Sequence, residues 1–415
     1  MLYKKIPSCR ICGNTNLVTV VDLGVMALTG VFPTQAENVE AGPLELMKCH
    51  GPNACGLLQL KHNYDLGKLY GDNYGYRSGL NKSMVEHLNG IVDQVLDTID
   101  LKEGDLVLDI GSNDGTTLKA YQEKCPFNLL LVGVDPTIGK FAKYYANGID
   151  HHADFFSADL VRHLYPKKKA KVVTSIAMFY DLESPIKFMQ EVYDILDEEG
   201  TWLLEQSYMP QMMVNNAYDT ICHEHLEYYS FAQLQWMAKK VGFKAIDVHE
   251  NKANGASFRV VFAKKKSHFK ASPNVKIFIK NEAKYKLNDL AVYKDFDRRI
   301  KEHKQQILDF LKAIKAEGKK IFGYGASTKG SVILQYCGIN KTDLPFIAEV
   351  NEYKFGRYAP GTNIPIISER EAREMRPDYF FVFPWHFKDN IVAKEASFLK
   401  SAGHLYFPLP VPEII

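Results

Sequence analysis

Three groups of residues in this chain have types and spacings that could do chemistry. The first is Leu108-Asp109-Ile110-Gly111-Ser112-Asn113-Asp114-Gly115, followed one strand later by Val134-Asp135. A hydrophobic strand, a Gly turn opening a helix and a second strand ending in an acid describe a nucleotide-type crevice. A dinucleotide fingerprint, G-x-G-x-x-G, needs its second Gly so that a pyrophosphate can approach the backbone; here that position is Asn113. Asp109 and Asp114 add negative charge. The set suits a ligand with a ribose and a positive charge but no phosphate, so S-adenosylmethionine (SAM) fits and NAD fits poorly. Asp135 reads as the ribose acceptor, because a carboxylate can take two hydroxyl hydrogen bonds at once. The competing reading is a generic α/β turn with a surface Asp.

The second group is Cys9-x-x-Cys12 with Cys49 and Cys55. Four thiolates give closed tetrahedral zinc with no open position for chemistry. The second pair is spaced wider than an ordinary knuckle, and His50 is an alternative ligand to Cys49. Four unrelated buried cysteines are the rival explanation. The metal is expected to fold a small domain rather than to catalyse.

The third group is Cys222-His223-Glu224-His225-Leu226-Glu227-Tyr228-Tyr229. It follows a strand ending at Glu205, on the carboxyl edge of the sheet, where ligands bind. A His-Glu-x-x-His zinc helix needs histidines four apart, and these are two apart. Two His, a Glu and two Tyr at a cofactor edge point instead to proton transfer.

The elements that must position these groups are legible. At 415 residues the chain calls for two or three domains. Net charge is +2, with the signs mixed and no basic block, so nucleic acid is not an expected partner. No apolar run approaches a bilayer span, and no signal-peptide core follows Met1, so the expected address is the cytoplasm. Seven cysteines suit a reducing compartment. Turn-rich sequence with short strands (Leu17–Leu23, Leu57–Leu60) runs to about residue 75. A helix near Asn81–Ile99 leads into alternating strands and helices, with strands at Leu106–Ile110, Leu129–Val134, Val172–Ile176, Thr201–Glu205, Ala245–His249 and Phe258–Ala263. The last two should pair as an antiparallel hairpin. A Lys-rich helical stretch then precedes a second unit. The class is α/β: a zinc-binding domain over 1–75, a Rossmann-like SAM methyltransferase domain over 76–267, and a C-terminal Rossmann-like domain over 268–415.

In that last unit, Lys320-Ile321-Phe322 enters Gly323-Tyr324-Gly325-Ala326-Ser327-Thr328-Lys329-Gly330, and a strand over Leu344–Ala348 ends at Glu349. Glycines, a helix N-terminus and Lys329 suit a diphosphate, and Glu349 could accept from a ribose. A scaffold that only closes the cleft is the alternative. Trp385 and His386 follow the apolar strand Tyr379–Phe383 and either line the same cleft or sit in the core.

With these motifs in place, the chain resembles the sugar C-methyltransferases that methylate C-3 of a nucleotide-linked 4-keto deoxysugar. The resemblance spans nearly the whole length. It rests on the Cys knuckles, Tyr74-Gly75-Tyr76-Arg77-Ser78-Gly79, the Asp109–Gly115 loop and Phe179-Tyr180-Asp181-Leu182. It continues through His223-Glu224-His225, Asn254-Gly255-Ala256-Ser257, Gly323-Tyr324-Gly325-Ala326-Ser327, Pro360-Gly361-Thr362 and Pro384-Trp385. It implies His225 as the base at C-3, Glu224 as a group that positions or polarises the sugar, and Tyr76 as a steering or enolate-stabilising group. Phe155 joins the cofactor residues Asp109, Gly111, Asn113, Asp114 and Asp135. Tyr74, Arg77, Ser78, Asn81, His223, Tyr228, Gly325, Lys329 and Glu349 make up the expected substrate set. Cys222 stands where relatives carry a Tyr, so Tyr228 or Tyr229 would substitute, or the mechanism leans more on His225. Rival readings are sugar O- or N-methylation and a non-catalytic zinc-knuckle binding module. A nucleotide-diphosphate sugar is the expected partner, with no membrane and no more than weak self-association.

Overall fold

The computed structural model describes residues 1–69 and 75–415. Tyr74, one of the expected substrate contacts, lies outside the described residues.

The central sheet has seven strands: β1 (Leu106–Ile110), β2 (Leu130–Val134), β3 (Asp150–His152), β4 (Ala170–Ile176), β5 (Leu196–Ser207), β6 (Phe243–Asn251) and β7 (Ser257–Lys264). Their order is β6-β7-β5-β4-β1-β2-β3. β1 to β5 are parallel, and β7 runs antiparallel between β5 and β6. β1 is apolar at four of five positions and buried at all five, because helices cover both faces of a parallel sheet. Strand order reverses between β1 and β4, which opens a crevice at their carboxyl ends. The helix α1 (Lys82–Thr98) packs beside this edge, with Asn81 as its N-cap: the Asn81 Oδ1 accepts from Ser83 N at 3.0 Å.

The C-terminal sheet repeats the theme: β8 (Ile321–Tyr324), β9 (Ile347–Glu349), β10 (Ile366–Ser368), β11 (Tyr379–Val382), β12 (His404–Phe407) and β13 (Glu413–Ile414), in the order β10-β9-β8-β11-β12-β13. All pairs are parallel except β12 with β13. The Lys-rich stretch between the sheets forms two main helices. Pro273–Glu282 lies on β6. Its buried Glu282 carboxylate accepts from Phe231 N at 2.7 Å and Ala232 N at 2.9 Å, at the start of a central-domain helix where the dipole favours an anion. The long helix α2 (Leu290–Ala316) buries Tyr293, Phe296, Ile300, Ile307, Leu311 and Ile314 at helical spacing and leaves its lysines outside. No helix among the described residues is long and apolar enough to cross a membrane.

The N-terminal strands Leu17–Ala27, Ala41–Cys49 and Leu58–Leu60 form an antiparallel sheet whose fourth strand comes from far along the chain. Glu227 pairs with Gln59 and Tyr228 with Leu58. Arg10, inside the Cys9–Cys12 knuckle, is buried against this junction. Its guanidinium donates to Leu60 O at 2.7 Å and His62 O at 3.1 Å, and Nε lies 3.6 Å from the buried Glu227 carboxylate.

The sulfurs of Cys9, Cys12, Cys49 and Cys55 lie within 4.8 Å of one another. Cys9 and Cys55 approach to 3.5 Å, as do Cys12 and Cys49. Tetrahedral zinc with ordinary zinc–sulfur bonds separates its sulfurs by about 3.8 Å, so the donor set fits that ion. Asn14 Nδ2 also donates to the Cys49 sulfur at 3.3 Å, which favours a thiolate there. His50 is not part of the cluster, so the four-cysteine set is the one the fold assembles. Metal analysis should find one zinc per chain, and Cys12→Ala should destabilise the protein by more than about 4 kcal/mol in a denaturant titration. A metal-free protein of unchanged stability would contradict this.

Candidate active site

The cofactor crevice is built from the loop after β1. Gly111 has φ 74°, and a Cβ there would come within 2.9 Å of the Met178 side chain, so only glycine lets the chain turn under the segment after β4. Asn113, also left-handed at φ 50°, points its backbone N–H at Asp135 Oδ2, 2.9 Å away. Asp135 Oδ1 accepts from Thr137 N at 2.6 Å and Thr137 Oγ1 at 2.5 Å. Three of the four acceptor positions of this carboxylate are therefore taken. It has room for one ribose hydroxyl, on Oδ2, rather than the two expected from the sequence.

Asp109 is buried beneath the loop, with Thr174 Oγ1 donating to it at 2.5 Å. Burial, aided by the neighbouring Asp135 charge, pushes its pKa up to about 7. Asp109, Asp114 and Asp135 have no salt-bridge partner among the described residues, so the crevice favours a cation. Phe155, in the loop after β3, is 53% exposed, an apolar surface available to a flat ring. An acidic floor and a tight glycine turn fit an adenosine sulfonium.

The loop carrying Tyr76, Arg77 and Ser78 is fastened to the same crevice. Asn113 Oδ1 accepts from Ser78 N at 2.9 Å, Asn113 Nδ2 donates to Tyr76 O at 3.2 Å, and Asp114 Oδ2 accepts from Gly79 N at 2.9 Å. Tyr76 is 48% exposed, and the Arg77 guanidinium stacks 4.0 Å from the Tyr144 ring centroid. Ser78 thus meets the cofactor loop through its backbone, and Asn81 is engaged as the α1 cap.

The two histidines of the third group divide their labour. His223 is fully buried, edge-on to Tyr64, with Nδ1 near Thr29 Oγ1 at 3.3 Å and Nε2 near Gly42 O at 3.3 Å. It offers no surface to a ligand; it pins the segment to the N-terminal domain. His225 is half-buried, and its Nδ1 donates to Thr220 O at 2.8 Å. That bond fixes the tautomer and leaves Nε2 as a lone pair. Burial, reinforced by the Lys329 charge, lowers its pKa to about 4, so the imidazole is neutral at working pH. Tyr180, Thr220 and Tyr228 line a small cavity with it. Burial raises the Glu224 pKa, and its Oε2 has no partner among the described residues. Cys222 is fully buried, whereas Tyr228 shares the His225 cavity; Tyr229 packs on Phe179, with ring centroids 5.5 Å apart.

The C-terminal unit reaches the same place. The helix α3 (Thr328–Cys337) starts at Ser327, whose Oγ accepts from Gly330 N at 3.0 Å. Lys329 Nζ donates to Asn254 O at 2.7 Å. Gly325 has φ 82° and lies under Pro384, where a Cβ would come within 2.7 Å, so this glycine serves domain packing rather than an open approach for phosphate. Glu349 Oε1 accepts from Val350 N at 2.7 Å and Asn351 N at 2.8 Å and shapes its own turn. Two groups escaped sequence reasoning. Asp219 is fully buried, accepts from Trp385 Nε1 at 2.8 Å, and feels the Lys329 charge. Glu205, at the end of β5, is held by His87, by Asn251 at 2.9 Å and by Arg259 at 2.9 Å. An acid just upstream of the His-Glu-His run was the only available hint for Asp219.

Two predictions come from this geometry. Asp135→Ala should weaken SAM binding roughly tenfold to a hundredfold by calorimetry, the loss of one hydrogen bond to a charged group; unchanged affinity would remove it from the ribose. Burial lowers the His223 pKa to about 4. Below about pH 6.5 the unfolded chain binds a proton that the native state refuses, so stability should fall from there towards pH 4, by up to about 3 kcal/mol. His223→Gln should remove its share of that limb of the pH–stability curve, to which His225 contributes with the same sign, and an unchanged limb would contradict the assignment.

Comparison with known proteins converges on the same picture. A zinc binding domain model matches residues 9–70, a methyltransferase domain model residues 84–248, and a C-methyltransferase C-terminal domain model residues 252–410. The chain is similar to the C-methyltransferase NovU of Streptomyces niveus, at 28% identity over 420 residues, covering 100% of this chain and 98% of that one. Among solved structures, the CcbJ methyltransferase of Streptomyces caelestis aligns with 43% of this chain and 89% of its own, at 14% identity and a TM-score of 0.35. The YcgJ protein of Bacillus subtilis aligns with 44% of this chain and 100% of its own, at 16% identity and a TM-score of 0.35. The three domain models in this order and a relative matched from end to end support a SAM-dependent C-methyltransferase with a zinc-binding domain.

Proposed function

We propose that this enzyme methylates C-3 of a nucleotide-linked 4-keto-6-deoxysugar. The observation that carries the reading is His225: an imidazole whose Nδ1–H is committed to Thr220 O, which leaves its Nε2 lone pair free, and which lines a small cavity with Tyr180, Thr220 and Tyr228. A ketone at C-4 makes the protons on its neighbouring carbons removable, and a neutral imidazole is the group that can remove one. SAM, when bound, supplies an electrophilic methyl group. His225 Nε2 takes the C-3 proton, and Thr220 O stabilises the imidazolium that results. A base of such low pKa cannot drive this alone, so the developing enolate oxygen must be well stabilised. Glu224, whose carboxyl is pushed by burial towards its protonated form, would in that form donate to that oxygen. Lys329 adds positive charge, which opposes an imidazolium and favours an enolate. Tyr76 and Tyr228 flank the sugar, and Arg77 and Lys329 face its phosphates.

His225→Ala should lower turnover by about 10²–10⁴-fold while S-adenosylhomocysteine affinity stays unchanged; near-normal turnover would remove His225 as the base. The rate should be flat through the ordinary histidine range and fall only towards pH 4, because the base must be unprotonated to act. With a 4-keto nucleotide sugar and no methyl donor, deuterium should enter at C-3 from solvent. Exchange at C-5 would move the acceptor carbon to the other side of the ketone. Methylation with no exchange at either carbon would favour transfer to oxygen or nitrogen.

A further inference from the structure

The strand Ala41–Cys49 ends in Leu44-Glu45-Leu46-Met47-Lys48-Cys49. Side chains alternate along a strand, so Leu44, Leu46 and Lys48 share one face, and the two leucines of that face are fully buried. The pattern thus puts a lysine at a core position, one residue before a metal ligand. Lys48 is 1% exposed. An ammonium taken this far from water is kept only where opposite charge or strong dipoles meet it. Two lysines are buried among the described residues, and the other, Lys264, meets the Glu198 carboxylate at 2.8 Å. Lys48 has no carboxylate within that reach among the described residues. Its Nζ donates to Gly56 O and lies 5.0 Å from the centre of the Tyr293 ring.

One carbonyl and one ring face leave most of that charge unanswered, and the charges that reach it are those of Cys55, Cys49 and Cys9. A divalent zinc on four thiolates leaves its centre with a net double negative charge. Arg10, the other buried cation of the knuckle, already faces Glu227. The loop that carries the last ligand is shaped around the ammonium. Gly56 follows Cys55 directly; its φ is 74°, and a Cβ there would come within 3.1 Å of Lys48 Nζ. Gln233 Nε2, from the helix Phe231–Val241, donates to Cys55 O at 3.0 Å, so the same loop is also held from the central domain. Tyr293, on the far side of the ammonium's bond to Gly56, belongs to α2. With the metal and its four thiolates in place the buried ammonium is compensated; without them it is not. Metal loading and burial of Lys48 therefore reinforce one another.

We propose that Lys48 is the internal countercharge of the zinc–thiolate centre: it offsets one of the two negative charges that the bound metal leaves on its sulfurs and seats that centre against α2. The assignment is independent of the sugar and of His225. The test uses the full-length protein with cobalt in place of zinc, because thiolate-to-cobalt charge-transfer absorption reports the electron density on the sulfurs. Lys48→Met keeps the length of the side chain and deletes its charge; Lys48→Gln also keeps a donor for Gly56 O. Taking a positive charge from beside thiolates raises their donor orbitals, so both variants should move the charge-transfer band to longer wavelength. Both should also hold zinc about tenfold or more weakly in competition with a chelator. Leu46→Val, an uncharged change on the same strand face, should leave the band where it is and zinc affinity within about threefold. S-adenosylhomocysteine affinity should be unaltered in all three, which reports the rest of the protein as folded. A Lys48 variant that retains neither metal while Leu46→Val retains both is the extreme of the expected loss. A band and an affinity unchanged in both Lys48 variants, or equal changes in Leu46→Val, would overturn the assignment.

Discussion

The geometry of the cleft depends on how residues 218–228 are held, and a buried arginine in the metal knuckle holds one end of them. Arg10 bonds backbone carbonyls of the N-terminal domain and lies 3.6 Å from Glu227, and both side chains are almost wholly out of solvent. Burying that pair is expensive on its own, and losing one partner would leave a stranded charge, a penalty of about 3–5 kcal/mol. The pair therefore acts chiefly as a locator. It sets the strand Glu227–Tyr228 against Leu58–Gln59, and His223 pins the segment again from the other side. Between these anchors the chain has little freedom, and the His225 ring can be aimed by a single carbonyl.

The other end of the segment is fixed by the C-terminal domain. Tyr218 OH meets His303 Nδ1 of α2 at 3.1 Å, and Asp219 accepts from Trp385 Nε1. Thr220, the next residue, carries the carbonyl that orients His225. One short turn thus touches the His225 imidazole of the central domain, an indole from the C-terminal domain and, through the strand that follows, the zinc domain. The third domain does more than cover the cleft, because it holds the turn from which His225 takes its tautomer.

Much of this was legible in the sequence. The buried strands of both sheets read as apolar runs, and the loop from Asp109 to Gly115 carried its own chemistry. The β6–β7 hairpin appeared where expected, and four cysteines announced themselves by spacing. Less legible was everything that depends on distant pairing. Tyr228 read as a site residue, and with Glu227 it also forms an edge strand for a sheet far upstream, a partnership that no local pattern encodes. Arg10 is one of the two intervening positions of the Cys9-x-x-Cys12 knuckle, and nothing in that spacing marks it as buried. The glycines around Gly325 suggested an anion loop, but the same pattern also lets Pro384 and Phe383 press onto the strand end. Asp219 gave no periodic or motif signal, because its role exists only once Trp385 arrives. Asp135 was rightly seen as an acid at the end of β2, but how many of its lone pairs were already taken could be read only from coordinates.

The shared strand has a consequence for synthesis. A ribosome delivers Leu58–Leu60 long before it delivers Tyr228, at about 5–20 residues per second. Until then the small N-terminal sheet exposes a bare row of amides and carbonyls beside apolar side chains, the kind of border that recruits neighbouring chains. The nascent protein thus passes through an interval in which its metal knuckle can close but its last sheet position stands vacant. Crowded translation of this message is where misassembly would begin.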